Sequence, residues 1–171
     1  MLKYTLCLIR NGNQFLLLNR LKKPQMGTWN GVGGKIENGE TPFESVIRET
    51  FEETGILLKE LTYAGNVIFK SNEGREGMYL FTADLPEGSR LVTPAGTAEG
   101  ILDWKQVDWI LHKDNRGVAS NLRAYLPAVL EGRLGLEHLF TYDQGVILDY
   151  TTAEVAADEI NEKYIPPIAV S

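Results

Sequence analysis

The chain is 171 residues long, 43% hydrophobic and 23% charged, with a formal net charge of −6 at pH 7. That length supports one domain with a proper core, and the composition is ordinary for a globular protein. The acidic balance excludes a nucleic-acid-coating surface and leaves no basic stripe for a membrane, while a single cysteine excludes an internal disulfide network. With no signal-peptide pattern and no span of about 18 or more apolar residues, a cytoplasmic location is expected.

In chain order, Lys3 to Ile9 and Gln14 to Asn19 read as strands joined at Asn11-Gly12, a strong hairpin signal. Cys7 lies inside the first apolar run and is expected to be a buried, inert thiol. Leu21 to Met26 forms a loop leading into Trp29-Asn30-Gly31-Val32-Gly33-Gly34-Lys35, and a capped helix follows. Leu61 to Lys70 and Met78 to Asp84 make a second strand pair around Asn72-Glu73-Gly74. Pro86 to Gly100 reads as a loop, Ile101 to Val107 as a strand and Val107 to Leu111 as the start of a short helix. Asn121 to Leu130 is a helix, bent near Pro127. Leu136 to Tyr142 and Val146 to Tyr150 form a last hairpin, and Thr152 to Glu162 is predicted to be a short helical stretch before a Pro166-Pro167 tail. The expected division is a domain over residues 1–157 and a C-terminal tail over 158–171.

Strands interrupted by one central and one late helix predict an α/β fold, a mixed sheet with helices on both sides. His112 and His138 lack metal-ligand spacing and are expected to be structural or surface groups. There is no GxSxG elbow, Walker loop, zinc pattern or internal repeat.

The chemistry concentrates in residues 34 to 56. Thr41 is a good N-cap, Pro42 suits the first helical position, Glu44 completes a capping box, and Gly55 supplies a left-handed stop. At about 100° per residue, Phe43, Val46, Ile47, Thr50 and Phe51 share one side of this helix. Glu49, Glu52 and Glu53 share the other, at i, i+3 and i+4, so three carboxylates crowd one turn. Taken alone this is a solvated acidic face with an Arg48–Glu52 ion pair. The glycine loop in front changes that reading, because Gly33 and Gly34 let backbone approach a metal or phosphate closely. Acidic oxygen ligands point to Mg²⁺, with Mn²⁺ as a substitute, rather than zinc.

Gly34, Glu40, Arg48, Glu49, Glu52, Glu53, Gly55 and Ile56 also stand at the spacing of the Nudix box, which this segment resembles. Seven fixed identities in register recur by chance on the order of once in 10⁸ windows. Thr50 departs from the pattern, where an aliphatic residue is usual, and it lies on the packing side. The resemblance implies a Nudix α/β/α sandwich with a mixed central sheet, and hydrolysis of a nucleoside diphosphate linked to a further group. It implies that Glu49, Glu52 and Glu53 hold metal or act as base, Glu49 first and Glu53 second. Gly34 would offer its carbonyl, Arg48 would orient a glutamate, and Glu40 would steady the loop.

The likeness extends to MutT-like members that hydrolyse oxidised purine nucleoside triphosphates, above all the mammalian-type 8-oxo-dGTP diphosphatases. It is carried by residues 29 to 35, Tyr4-Thr5-Leu6, residues 64 to 69 and Ile147 to Thr151. It implies that Asn30 bonds the base, against an alternative role as a turn residue before Gly31. Thr5 and Arg20 fall at pocket positions, Gly33 and Lys35 at the phosphates, and Glu99 where a loop glutamate adds to the metal site. The usual Asp-Asp pair that reads a purine edge is replaced by Asn121-Leu122; Asn121 can still pair there and Leu122 cannot.

The expected activity is therefore Mg²⁺-dependent hydrolysis of nucleoside triphosphates to monophosphate and pyrophosphate, with oxidised purines leading, as in nucleotide-pool sanitation and DNA repair. Ordinary NTPs, ADP-ribose or capped RNA ends remain as other substrates, and a non-catalytic ligand sensor as another class. An isoprenoid diphosphate isomerase would need a catalytic cysteine, which Cys7 does not suit. The expected partner is a nucleotide, not a nucleic-acid polymer or a membrane. Monomer and homodimer both stay open.

Overall fold

In the computed structural model, which describes residues 1–156, the first hairpin closes where its turn residues place it. Strands β1 (Tyr4–Asn11) and β2 (Gln14–Arg20) pair antiparallel with Asn11 opposite Gln14. The tight connection needs Gly12 at φ 59°, a conformation that costs other residues energy. The helix α1 (Pro42–Thr54) starts and stops as its caps dictate. Thr41 Oγ1 accepts from the Glu44 N–H, the Glu44 carboxylate accepts from the Thr41 N–H, and Gly55 takes φ 73°.

Two elements come from segments expected to be loop. Trp29–Asn30 forms β3 against β2, with Leu18 opposite Asn30, and Ala95–Thr97 forms β6. Neither is long enough to carry an alternation pattern, so each is a strand only because a neighbour supplies the pairing. Strands β4 (Thr62–Ser71) and β5 (Gly74–Asp84) pair antiparallel, and β7 (Gly100–Gln106) runs beside β2. The short helix α2 (Val107–Leu111) and the helix α3 (Leu122–Leu130), with Pro127 inside it, follow as expected. The last hairpin is β8 (Leu136–Asp143) and β9 (Val146–Glu154). Residues 152–154, expected to open a helix, instead extend β9, because pairing with Leu136 to His138 satisfies their backbone along the whole edge. The remainder of that expected helix and the tail lie outside the described residues, as does the expected domain boundary.

One mixed sheet of nine strands results, in the order β6-β7-β2-β1-β5-β4-β8-β9 with β3 beside β2. The pairs β1–β5 and β4–β8 are parallel and the others antiparallel. Alternation along β1 splits its side chains between two cores. Cys7 and Ile9 pack with Phe43 and Val46 of α1. Leu6 and Leu8 pack with Val107 and Ile110 of α2 and Leu122, Tyr125 and Leu126 of α3. This is the three-layer α/β/α sandwich. Cys7 is fully buried and its thiol is pushed up to about 12, as an inert core group should be.

The expected apolar face of α1 is corrected at one position. Phe43, Val46 and Thr50 face the sheet, but Phe51 is 53% exposed and Ser45 is buried in its place. The buried side runs through Pro42, Phe43, Val46 and Thr50, with Phe43 in edge-on contact with Phe81. Thr50 is fully buried and its hydroxyl has no hydrogen-bond partner.

Candidate active site

Residues 31 to 36 run antiparallel to the first half of β1. The Thr5 N–H donates to the Gly34 carbonyl at 2.9 Å, and Cys7 and Val32 exchange bonds at 2.7 and 3.2 Å. This pairing lays the glycine loop across the top of α1. A Cβ at Gly33 would strike the Thr5 carbonyl, and one at Gly34 would strike the Glu49 carboxylate. The two glycines are therefore demanded by close approach, on one side of backbone and on the other of a candidate ligand.

Arg48 ties the helix to this loop. Its Nε and Nη2 donate to the two oxygens of Glu40 at 2.6 and 2.9 Å, the fork-to-fork geometry that suits a guanidinium. Its Nη1 reaches Glu49 at 2.8 Å and Glu52 at 3.2 Å, and its Nη2 also reaches the Lys35 carbonyl at 3.1 Å. The Arg48 hydrogen bonds hold the Glu40 carboxyl down to about 2. Glu40 in turn accepts from the Glu37 N–H at 3.0 Å. Loop, turn and helix are locked by one arginine.

Glu53 sits on the inner side of this arrangement. Its Oε2 accepts from the Gly33 N–H at 3.2 Å. Burial, reinforced by the nearby negative charges of Glu49 and Glu99, pushes its carboxyl up to about 7, although Gly33 and Arg20 pull the other way. Glu99 arrives from the loop before β7, where its carbonyl accepts the Leu21 N–H at 2.9 Å. Thus Glu49 and Glu53, from one turn of α1, share one electrostatic neighbourhood with the sequence-distant Glu99 and Arg20. Glu52 stands apart from them, with its side chain 58% exposed and bonded to Arg48.

Among the described residues, no three carboxylate, imidazole or thiolate groups already converge on one point. The donors nonetheless suit a hard divalent cation: carboxylate oxygens, a backbone carbonyl, and like charges whose crowding a cation would relieve. The Gly34 carbonyl keeps one lone pair beyond its bond to Thr5.

The expected base-contact residues lie along one neighbouring wall. The Trp29 N–H donates to the Gly117 carbonyl, and the Trp29 carbonyl accepts from the Ala119 N–H, so β3 lies alongside residues 117–119. Asn30, on β3, is buried, and its Oδ1 accepts from the Gly31 N–H at 2.8 Å, which is the turn-residue role. Asn121, two residues past Ala119, is 1% exposed, and neither its Oδ1 nor its Nδ2 has a partner. The Thr5 hydroxyl is also buried without a partner. Lys35 is exposed and leaves its ammonium free to reach outward. Leu122 is fully buried in the α3 core.

One group was not legible as part of this region. Lys105 of β7 places its ammonium 4.3 Å from the ring centre of Trp29 and 5.2 Å from that of Trp109. A lysine in a strand carries no sequence signal for such a contact, since its aromatic partners come from β3 and α2. His138 is buried, as a structural histidine should be, with Nδ1 2.8 Å from the Tyr150 hydroxyl, whereas His112 is exposed.

Comparison with known proteins places the chain among relatives of one family. The NUDIX domain pattern matches residues 3–126. An oxidized purine nucleoside triphosphate hydrolase of Mus musculus is 31% identical over 154 residues, covering 89% of this chain and 94% of the mouse protein. An uncharacterized Nudix hydrolase of Bacillus subtilis (strain 168) is 32% identical over 145 residues, covering 82% and 86%. Among solved structures, a MutT protein of Bacillus halodurans superposes with a TM-score of 0.73 at 29% identity, covering 89% of this chain and 97% of that one. No helix among the described residues is long and apolar enough to cross a membrane.

Proposed function

Since this chain belongs to the Nudix family and is a pyrophosphohydrolase of that kind, we propose that it hydrolyses nucleoside triphosphates to monophosphate and pyrophosphate with Mg²⁺, preferring oxidised purines such as 8-oxo-dGTP. The observation that carries the reading is the seating of the Gly33-Gly34 backbone on the acidic face of α1, with the Gly33 N–H bonded to Glu53 and Gly34 packed on the Glu49 carboxylate, beside β3 with Asn30 and the segment leading to Asn121. The likeness to the mouse enzyme over nearly the whole of both chains supports the choice of base.

Nudix hydrolases use a divalent cation, which would neutralise charge across the phosphates and orient the attacking water. Glu49, Glu52, Glu53, Glu99 and the Gly34 carbonyl would hold it. Arg48 orients Glu49 and keeps the loop seated on the helix. Glu53 takes the proton of the attacking water. Its Oε2 accepts from the neutral Gly33 N–H, whereas Glu49 is already bonded to the charged Arg48 guanidinium, which weakens it as a base. Water oxygen bonds to phosphorus, the α–β anhydride bond breaks, and pyrophosphate leaves. Lys35 is placed to meet the phosphate charge. Asn30 and Asn121 offer amides that both donate and accept, as a purine edge requires, with Thr5 and Arg20 at the border of the same pocket.

The test is a product-resolved hydrolysis screen with Mg²⁺. The expected outcome is monophosphate plus pyrophosphate, with kcat/KM for 8-oxo-dGTP about 10-fold or more above that for dGTP. Equal turnover of the two removes the sanitising role and leaves a broader pyrophosphatase. The buried Leu122 favours that second reading, because it presents no polar atom where a second base contact would lie. Absence of turnover with every nucleotide would leave a ligand sensor.

A further inference from the structure

Strand β3 is two residues long, too short for its own ladder to fix it, yet it carries Asn30 and lies against the segment that ends in Asn121. What holds it is Trp29. Its backbone pairs with Asn19 on one side and with Gly117 and Ala119 on the other. Its ring is capped by the Lys105 ammonium at 4.3 Å, and the same ammonium lies 5.2 Å from the Trp109 ring centre. Asp103 anchors that ammonium at 3.2 Å, and the Lys105 side chain is 23% exposed. A partly desolvated cation between two indole faces is attracted to both ring quadrupoles, more strongly than it would be in open water. The three elements joined, β3, β7 and α2, contribute none of the glutamates of the acidic site.

We propose that Lys105 is a positioning residue for base recognition: clamped between Trp29 and Trp109, it holds β3 against residues 117–121 so that Asn30 and Asn121 face the base in one geometry. The inference rests on the reading that these two asparagines flank the base. It also separates two parts of the site. Loosening β3 raises the cost of ordering the base pocket on binding, which appears in KM. The triphosphate end, held by the Gly33-Gly34 loop and the glutamates, keeps its alignment and its kcat.

The experiment compares wild type, Lys105→Met, Lys105→Arg and Asn30→Ala in steady-state hydrolysis of the preferred nucleoside triphosphate with Mg²⁺. Inorganic tripolyphosphate, which has no base, is titrated as a competitive inhibitor. Lys105→Met is expected to raise KM about 5- to 10-fold, with kcat and the tripolyphosphate inhibition constant within about 2-fold of wild type. Lys105→Arg is expected to restore KM, because a guanidinium also stacks on aromatic faces. An unchanged KM in Lys105→Met overturns the inference. So does a parallel loss in KM, kcat and tripolyphosphate binding, or a failure of arginine to rescue. If Asn30→Ala also leaves KM unchanged, the pocket reading falls and this inference with it. If Asn30→Ala raises KM while Lys105→Met does not, the inference alone falls.

Discussion

Residues 33 to 53 hold one another. Gly33 reaches Glu53, Glu37 reaches Glu40, and Arg48 reaches Glu40, Glu49, Glu52 and the Lys35 carbonyl, so every one of these bonds closes within twenty residues of chain. The wall formed by Trp29, Lys105, Gly117 and Asn121 is the opposite case, with three stretches brought together only by the sheet and its flanking helices. The charged groups of the first region are partnered with one another. In the second, the buried amide of Asn121 has no partner. A buried amide without partners costs free energy in the unliganded protein, so it is the kind of group a ligand can satisfy.

The sharpest way to break this contrast is Arg48→Ala. Removing the guanidinium leaves Glu40, whose side chain is only 14% exposed, without its main partner, and frees Glu49 and the Lys35 loop together. We expect a loss of about 2–3 kcal/mol in urea denaturation and a fall in kcat of about 100-fold from misplaced carboxylates. Arg48→Lys should recover little of either, since an ammonium cannot satisfy the fork. A variant that keeps full kcat would show that the segment does not act as a unit.

A smaller effect probes the layer beneath the wall. His138 lies buried between Tyr125 and Tyr150, and burial, with the Arg133 charge nearby, lowers its pKa to about 4. The unfolded chain binds that proton near pH 6.5, so its contribution to stability is fully present above that value. It is lost as pH falls from about 6.5 towards 4, by up to about 1.4 kcal/mol per unit. Denaturation midpoints at pH 7 and pH 5 should therefore differ more in wild type than in His138→Gln. Equal pH dependence in the two proteins would rule out this histidine as the cause.

The smallest effect returns to the catalytic helix. Thr50 is fully buried with an unpartnered hydroxyl, so Thr50→Val replaces that hydroxyl with a methyl of similar shape. We expect a gain of about 1 kcal/mol and a higher Tm without loss of activity, because Thr50 faces the core and the glutamates face away. A drop in kcat would mean that the apolar face of α1 is not separate from its acidic face.

Much of this was legible in the residues alone. The caps of α1 follow from Thr41, Pro42, Glu44 and Gly55, because capping is a local matter of which backbone groups lack partners. The first hairpin, the second strand pair and the helices on both faces were likewise readable, as was the buried Cys7. Phe51 was misassigned to the core because periodicity gives a face but not its edges, and only the packing of α1 on the sheet decides which flank is covered. β3, β6 and the end of β9 were missed because short strands exist only by virtue of a neighbour.

The sequence by itself carried the resemblance to the Nudix box, in Gly34, Glu40, Arg48, Glu49, Glu52 and Glu53, and helical geometry alone puts Glu49, Glu52 and Glu53 on one turn. Tertiary structure alone decided that the Gly33 N–H meets Glu53, that Lys105 caps Trp29, and that Asn121 is buried with its amide unpartnered. Those contacts join residues far apart in the chain, and only the register of the sheet and the packing of α2 and α3 fix which of them meet.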